Sequence, residues 1–449
     1  MPQKIASVYV CANCDAQSPK WSGQCLECGG WGTVALRTSS PAEVRARPMV
    51  APSPVTDLGE IKTFDLRRLT TGIGELDRVL GGGLVPGSVT LLGGEPGIGK
   101  STLAMMMASS MGKSGKPILY VSGEESAAQI KMRAVRLGVA AESLRFLGET
   151  DVDHVVATLE HEKPALAIVD SIQTLIASDI PAEAGAVSQV RGAAARLIAH
   201  AKERNTPLVL IGHVTKDGHL AGPKTLEHLV DTVLSFEGEP THQLRVLRSL
   251  KNRFGSTDET GIFAMSDAGL EEIRNPSAYL LDERRSGISG SVVSCVIDGS
   301  RPMLVEIQAL VQKTSFGYPV RRATGFDTAR LEMLIAVLGR RAGIDLGQHD
   351  VYVNVVGGLK VREPAADLAV VVGLASAFRN AALPDRMAVW GEVGLGGEIR
   401  SVAAADKRLQ ECLALGINRV MTALPRSGKI KTPAGLDITN VSTVAEAVR

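Results

Sequence analysis

The pattern of apolar and polar positions divides the chain into stretches of different character. From Leu69 to about Ile273, short apolar runs alternate with longer amphipathic segments. Short runs bounded by turn residues read as buried strands, and the longer segments as helices packed against them. Val89 to Leu92 predicts a strand, and LAMMMASSM from Leu103 a helix. KPILYVSGEES carries a second strand ending at Glu124 and Glu125, followed by helix-like SAAQIKMRAVRLG. PALAIVDSIQ ends a strand at Asp170; TPLVLIGHV ends another near His213, with Lys216 close behind. This alternation predicts a doubly wound α/β domain. From Gly287 onward SVVSCVIDG, MLVEIQALV and VYVNVVGGL read as strands, and LEMLIAVLGRRAG, ADLAVVVGLASAF and KRLQECLALG as helices. Residues 38–57, rich in Pro, Ala and Ser, have no apolar period and read as a linker, with Arg45 and Arg47 solvated.

Between the first strand and its helix lies Gly94-x-x-x-x-Gly99-Lys100-Ser101, the spacing of a phosphate-binding P-loop. Gly94, Gly97 and Gly99 let the backbone curl until its N–H groups converge on phosphate oxygens, and the following helix adds its positive end. Lys100 supplies a point charge for the outer phosphates, and the Ser101 hydroxyl is placed for Mg2+. The expected nucleotide contacts are Gly94, Glu95, Pro96, Gly97, Ile98, Gly99, Lys100, Ser101 and Thr102.

Charged residues at strand ends supply the remaining chemistry. Asp170, after the apolar run ALAIV, stands where a carboxylate faces Mg2+ together with Ser101. Glu124 or Glu125 is placed to orient an attacking water, Glu124 being favoured; the alternative is a charge that merely suits a helix N-terminus. His213 reads either as a satisfied core histidine or as a sensor of phosphate or DNA. Lys251 and Arg253 in KNRFG fall on one face if the segment is extended. They read as solvated strand-end charges or as a cationic pair reaching a neighbouring subunit's phosphates.

Four of the six cysteines cluster near the start as Cys11-x-x-Cys14 and Cys25-x-x-Cys28. Two such pairs set four thiolates around one Zn2+, and a module this short folds through its metal. A redox pair or two disulfides are the alternatives. Lys20, Trp21 and Trp31 offer a nucleic-acid surface, although packing around the knuckles is the expected role of the tryptophans.

Composition narrows the class. A length of 449 residues predicts about three domains. With 45% hydrophobic and only 4% aromatic residues, the cores must be aliphatic. The net charge of +1 leaves nucleic-acid contacts to local patches. No apolar stretch reaches the roughly 18 residues of a membrane span, and no signal-peptide core precedes Cys11, so a soluble, cytoplasmic protein without membrane partners is expected.

The four-cysteine ribbon, GGEPGIGKST, VDSIQ and KNRFG at 251–255 together resemble the RadA (Sms) family of RecA-like bacterial recombination and repair ATPases, over essentially the whole chain. The resemblance implies a homo-oligomer, a hexameric ring, that hydrolyses ATP while moving on single-stranded and branched DNA. It implies helicase-type branch migration beside a RecA-type recombinase. Lys100 and Ser101 would hold nucleotide and Mg2+, and Lys251 and Arg253 would act in trans. Segments near 172–189 and 215–224 would line the DNA channel. The pattern GEVGLGGEIRSV and its neighbours resemble the proteolytic domain of Lon-type enzymes, which use a Ser–Lys dyad. Here Ala365, in Glu363-Pro364-Ala365-Ala366-Asp367, stands at the nucleophile's place. The lysine's place falls on Asp406, with Lys407 one residue off. Neither Ser376 nor Ser401 is expected to substitute, so no protease activity is expected. Arg321, Arg322, Arg330, Lys360 and Arg362 are candidate DNA-facing cations, solvated surface being the alternative. The expected fold is a RecA-like P-loop ATPase core with an N-terminal zinc ribbon and a C-terminal Lon-protease-like (S5-type) α+β domain. The boundaries are 1–36 for the ribbon, 37–58 for the linker, 59–275 for the ATPase domain and 286–449 for the last domain. A nucleotide-switched ring acting as a binding module, or an ATP-dependent protease, are the rival functions.

Overall fold

The apolar runs of the first half become neighbouring strands of one nine-stranded sheet. A computed structural model describes residues 8–37, 57, 59, 67–113, 115, 117–139, 144–213, 223–238, 243–315, 317–425 and 433–449. The chain divides into two compact units, 1–65 and 66–449.

In the larger unit the first sheet runs, in spatial order, Gly269–Glu272, Thr260–Ser266, Leu244–Asn252, Thr232–Glu237, Val89–Gly94, Leu208–His213, Leu166–Asp170, Ile118–Val121 and Leu144–Leu147. The six strands from Thr232–Glu237 to Leu144–Leu147 are parallel; the other three are antiparallel. Val89–Gly94 is buried at every position because both faces of the sheet are covered. Leu92 packs with Leu103 and Met107 on one side, and Val89 and Leu91 with Val190 and Leu197 on the other. Each such leucine contributes roughly 1.5–3 kcal/mol of burial. Strand Leu144–Leu147 and helix Val152–Glu162 escape the sequence pattern. The strand is four residues long and only partly buried, and the helix is announced mainly by its Asp151 cap, which accepts from the Asp153 and His154 N–H groups.

The second sheet has seven strands, in the order Arg321–Thr324, His349–Val355, Arg301–Lys313, Ser291–Asp298, Met387–Trp390, Arg419–Thr422 and Asp437–Asn440. Helices Thr328–Ala342 and Asp367–Arg379 cover one face, and Ala405–Ala414 the other. Helix Pro276–Leu281, in the gap left between the expected domains, docks on this sheet: Ser277 Oγ accepts from the Leu304 N–H and donates to Glu411. The two sheets share a core, with Leu244, Val246 and Ile262 beside Met303 and Val305. Glu75, only 2% exposed, accepts from the Ile262 N–H at 2.9 Å and pairs with Arg301 at 2.6 Å. Arg248 closes a bidentate pair on Asp298.

The small unit holds a three-stranded antiparallel sheet, Gln17–Ser18, Val8–Cys11 and Val34–Arg37. Among the described residues, no helix is long and apolar enough to cross a membrane.

Candidate nucleotide site

Parallel strands end together, and the register shows what ends with them. Gly94 pairs with His213, Ile211 with Asp170, and Val169 with Val121, which leads into Ser122–Glu125. Glycine loop, histidine, aspartate and glutamate thus meet along one edge of the sheet, with Leu208–His213 inserted between the strands of Gly94 and Asp170. The loop is shaped by positions that other residues resist. Gly97 and Gly99 have φ of 77° and 113°, and a Cβ on Gly94 would lie 2.6 Å from the Phe236 carbonyl.

Lys100, 4% exposed, opens helix Lys100–Gly112 and folds back to donate to the carbonyls of Gly94 (3.0 Å) and Glu95 (2.9 Å). Burial lowers its pKa to about 8, against the pull of Asp170 and Glu124. Asp170 accepts a 2.6 Å hydrogen bond from the Tyr120 hydroxyl, and Glu124 one of 2.6 Å from Ser171 Oγ. The two glutamates are not equivalent: Glu125 is held in an ion pair with Arg133 at 2.5 Å. His213 lies in the field of Lys100, Glu124 and Asp170; burial lowers its pKa, and its buried Nδ1 has no hydrogen-bond partner among the described residues. Tyr120 and Ser171 are the members that sequence reasoning passed over. Tyr120 reads as a core residue from LYV, and burial beside Asp170 pushes its pKa well above the ordinary value.

The donor set fits a nucleoside triphosphate with Mg2+. A glycine loop at a helix N-terminus, one buried cation, a carboxylate, a hydroxyl at Ser101 and an imidazole gather at the same strand ends. ATP and Mg2+ would be held by Lys100, Ser101 and Asp170.

Lys251 and Arg253 lie elsewhere. Lys251 pairs with Val233, and the strand of Val233 meets the P-loop strand at Leu91. The Arg253 N–H donates to Asp231, whose own N–H donates to Val89. The pair therefore lies toward the amino end of the parallel strands, Lys251 about 10 Å and Arg253 about 16 Å of strand from Gly94. The strand ends at Asn252 and Arg253 already lies in the turn that follows, so the extended alternation on which the one-face expectation depended stops short of it. What gathers both cations is the 227–231 segment: Lys251 Nζ donates to the carbonyls of Glu227 (2.6 Å) and Val230 (2.8 Å), and Arg253 pairs with Asp231 at 3.1 Å.

Residues 56–219 match the model of an AAA domain, and residues 9–35 that of a rubredoxin metal binding domain. The chain is similar to the DNA repair protein RadA of Bacillus subtilis, 45% identical over 99% of this chain and 98% of that protein. The DNA repair protein RadA of Pseudomonas aeruginosa is also 45% identical, over the same shares. The chain belongs to the RadA family. A crystal structure of the RadB recombinase aligns at 26% identity with 46% of this chain and all of that one, at a TM-score of 0.37.

In this RadA-family chain the four sulfurs of Cys11, Cys14, Cys25 and Cys28 lie within 4.8 Å of one another, a donor set that fits tetrahedral Zn2+. The Thr33 hydroxyl, hydrogen-bonded to Cys11, lowers that thiol to about 6. Trp21 and Trp31 are 64% and 76% exposed, so they do not pack the knuckles as expected; they flank Gly23 at the surface, where a Cβ would touch both rings.

In the second sheet's layer Ala365 is fully buried, and Ser376 is satisfied between the Gly290 N–H and the Ala381 carbonyl. Ser401 is exposed. Arg408 reaches the Ala365 segment, bound to Glu363, Cys295 and Ala403, whereas Lys407 turns outward to the Ser300 carbonyl. Of the five candidate cations, Arg330 is held by Asp367 and Arg321 by the carbonyls of Val320, Leu346 and His349; Arg322, Lys360 and Arg362 are exposed. Gln189 pins the 177–182 stretch through Ala177, Ile180 and Ala182. Most of the other expected DNA loop, 215–222 with Lys216, lies outside the described residues.

Proposed function

We propose that this chain is a DNA-dependent ATPase of recombination and repair, a helicase-type motor that binds single-stranded DNA and drives branch migration as a ring. The observation that carries the reading is the separation of its two cationic centres. Lys100 serves the chain's own strand ends, while Lys251 and Arg253 stand at the opposite end of the same sheet, out of reach of that site. A cationic pair so placed is useful to a neighbour's phosphates, which makes an ordered homo-oligomer, a hexamer by resemblance, the working form.

Within one site, Lys100 would exchange its loop carbonyls for the outer phosphates, and Ser101 and Asp170 would hold a magnesium ion, whose chemistry is to neutralise developing charge. Glu124, oriented by Ser171, positions the attacking water and accepts its proton. Release of that contact would reach the DNA loops through Ser171 and Gln173, whose amide donates to the His213 carbonyl at 3.3 Å. Zn2+ on the four cysteines folds the ribbon, which serves contact with DNA or with a RecA-type recombinase. The second sheet and its helices serve as a Lon-like scaffold, without a nucleophile at Ala365, and the compartment is the cytoplasm.

The test is ATP hydrolysis with and without single-stranded DNA, beside Lys100→Ala. DNA stimulation that vanishes in the variant, followed by unwinding of branched DNA, is the expected result. Hydrolysis indifferent to DNA would remove the motor and leave the nucleotide-switched ring.

A further inference from the structure

The nucleotide-site reading leaves one buried cation beside the P-loop without a role. Arg245, on strand Leu244–Asn252, is 4% exposed, and its Nε donates to the carbonyl of Ile98 at 3.3 Å; Nη1 donates to Leu244 at 2.9 Å. The chain makes room for it at Gly238, where a Cβ would stand 2.7 Å from Arg245 Cδ. Burial opposes the guanidinium's charge, as its lowered pKa records, so this placement has a cost that a surface arginine avoids.

Resting on the P-loop reading, we propose that Arg245 is a positioning residue for phosphate binding, acting from outside the loop through the Ile98–Gly99 peptide. The carbonyl and N–H of a trans peptide point in opposite directions. Holding the Ile98 carbonyl outward therefore turns the Gly99 N–H inward, toward the place of the phosphates. A charged donor on the carbonyl also polarises the peptide and makes that N–H a stronger donor. Gly99, with φ of 113°, and Gly97 on the other side of Ile98, with φ of 77°, lie where the loop would otherwise rotate most freely, so an external anchor matters there. Ile98, 3% exposed, supplies the second anchor by packing in the core beneath the loop.

An amide that grips phosphate before and during the reaction contributes uniform binding, so its loss raises KM and spares kcat. For Arg245→Gln the expected result is a KM for ATP and a Kd for ADP raised about tenfold, the loss of one charge-assisted hydrogen bond, with kcat within about twofold. In Arg245→Ala, low-millimolar guanidinium restores ADP affinity and urea does not, a response that mere loss of packing would not give. An unchanged KM and Kd in Arg245→Gln overturns the proposal, as does a fall in melting temperature with affinity intact. If Arg245→Gln fails to fold, Gly238→Ala decides by the same readout: it keeps the guanidinium but displaces it, and normal ADP affinity overturns the proposal. Lys100→Ala separates the two readings. ATP hydrolysis that survives Lys100→Ala removes the nucleotide site itself, whereas hydrolysis lost there with ADP affinity normal in Arg245→Gln removes only the role of Arg245.

Discussion

Acidic residues follow strands of the first sheet and lead into a helix beside the second, yet the two layers put them to opposite uses. In the first sheet Asp170 and Glu124 accept hydrogen bonds from neutral hydroxyls, Tyr120 and Ser171, which orient a carboxylate and leave its charge for a ligand. In the second, Asp367 is closed by Arg330 and Glu363 by Arg408, a guanidinium with no exposed surface. Carboxylates oriented by hydroxyls are available to a cation that arrives later. Carboxylates neutralised by guanidinium are part of the frame, beside a buried Ala365. The chemistry of this molecule is therefore read from the partners of its charges rather than from their positions.

The sharpest way to break that contrast is to substitute on the first sheet. Lys100→Ala and Glu124→Gln should each lower ATP hydrolysis at least about a hundredfold, with Glu124→Gln still binding nucleotide; single-turnover hydrolysis beside ADP binding checks both. A Glu124→Gln protein that turns over normally would make the glutamate structural. On the second sheet the expected loss is of stability. Arg408→Ala leaves the partly buried Glu363, against the Ile297 N–H, without its cation and should cost about 3 kcal/mol in denaturant titration, while any folded fraction hydrolyses ATP normally.

Acidity sharpens the same contrast. Burial holds Lys100 at about 8 without nucleotide, and bound phosphates raise it, so binding takes up a proton above that pH. Nucleotide affinity should fall as pH rises through about 8, approaching tenfold per unit, and Lys100→Arg should lose the dependence. Folding stability moves the other way: a lysine depressed in the folded state binds more protons when unfolded, so its contribution rises with pH between about 8 and its unfolded value. The smallest effect belongs to Tyr120→Phe, which frees Asp170 to rotate. A loss of a few-fold in kcat, with the magnesium concentration needed for half-maximal rate also raised, is expected.

Much of this was legible in the residues, for physical reasons. A phosphate loop needs glycine, lysine and a hydroxyl at fixed spacing, so the Gly94–Thr102 stretch declares itself, as do paired cysteines. Strands buried on both faces, such as Val89–Gly94 and Leu166–Asp170, stand out as unbroken apolar runs. What the pattern could not carry was pairing. Glu124 and Glu125 are neighbours of one type, and only the fold gives one to Ser171 and the other to Arg133. Tyr120 looks like core until the sheet order sets Ile118–Val121 beside Leu166–Asp170. The tryptophans of the ribbon misled because aromatic residues in a small module usually fill its centre, whereas a module of roughly thirty residues built on a metal has little centre to fill.

The two ends of the first sheet have a consequence for mixtures. On the proposed reading a chain with Lys100 replaced still presents an intact Arg253 to its neighbour, and a chain with Arg253 replaced still presents an intact P-loop. Neither hydrolyses ATP alone. Blended, they alternate along some of the contacts, and every contact made in the right order rebuilds one whole site from two defective chains. Recovery of activity between two dead alleles of one gene, ordinarily a sign of separable functions, would here report the length of a β-strand.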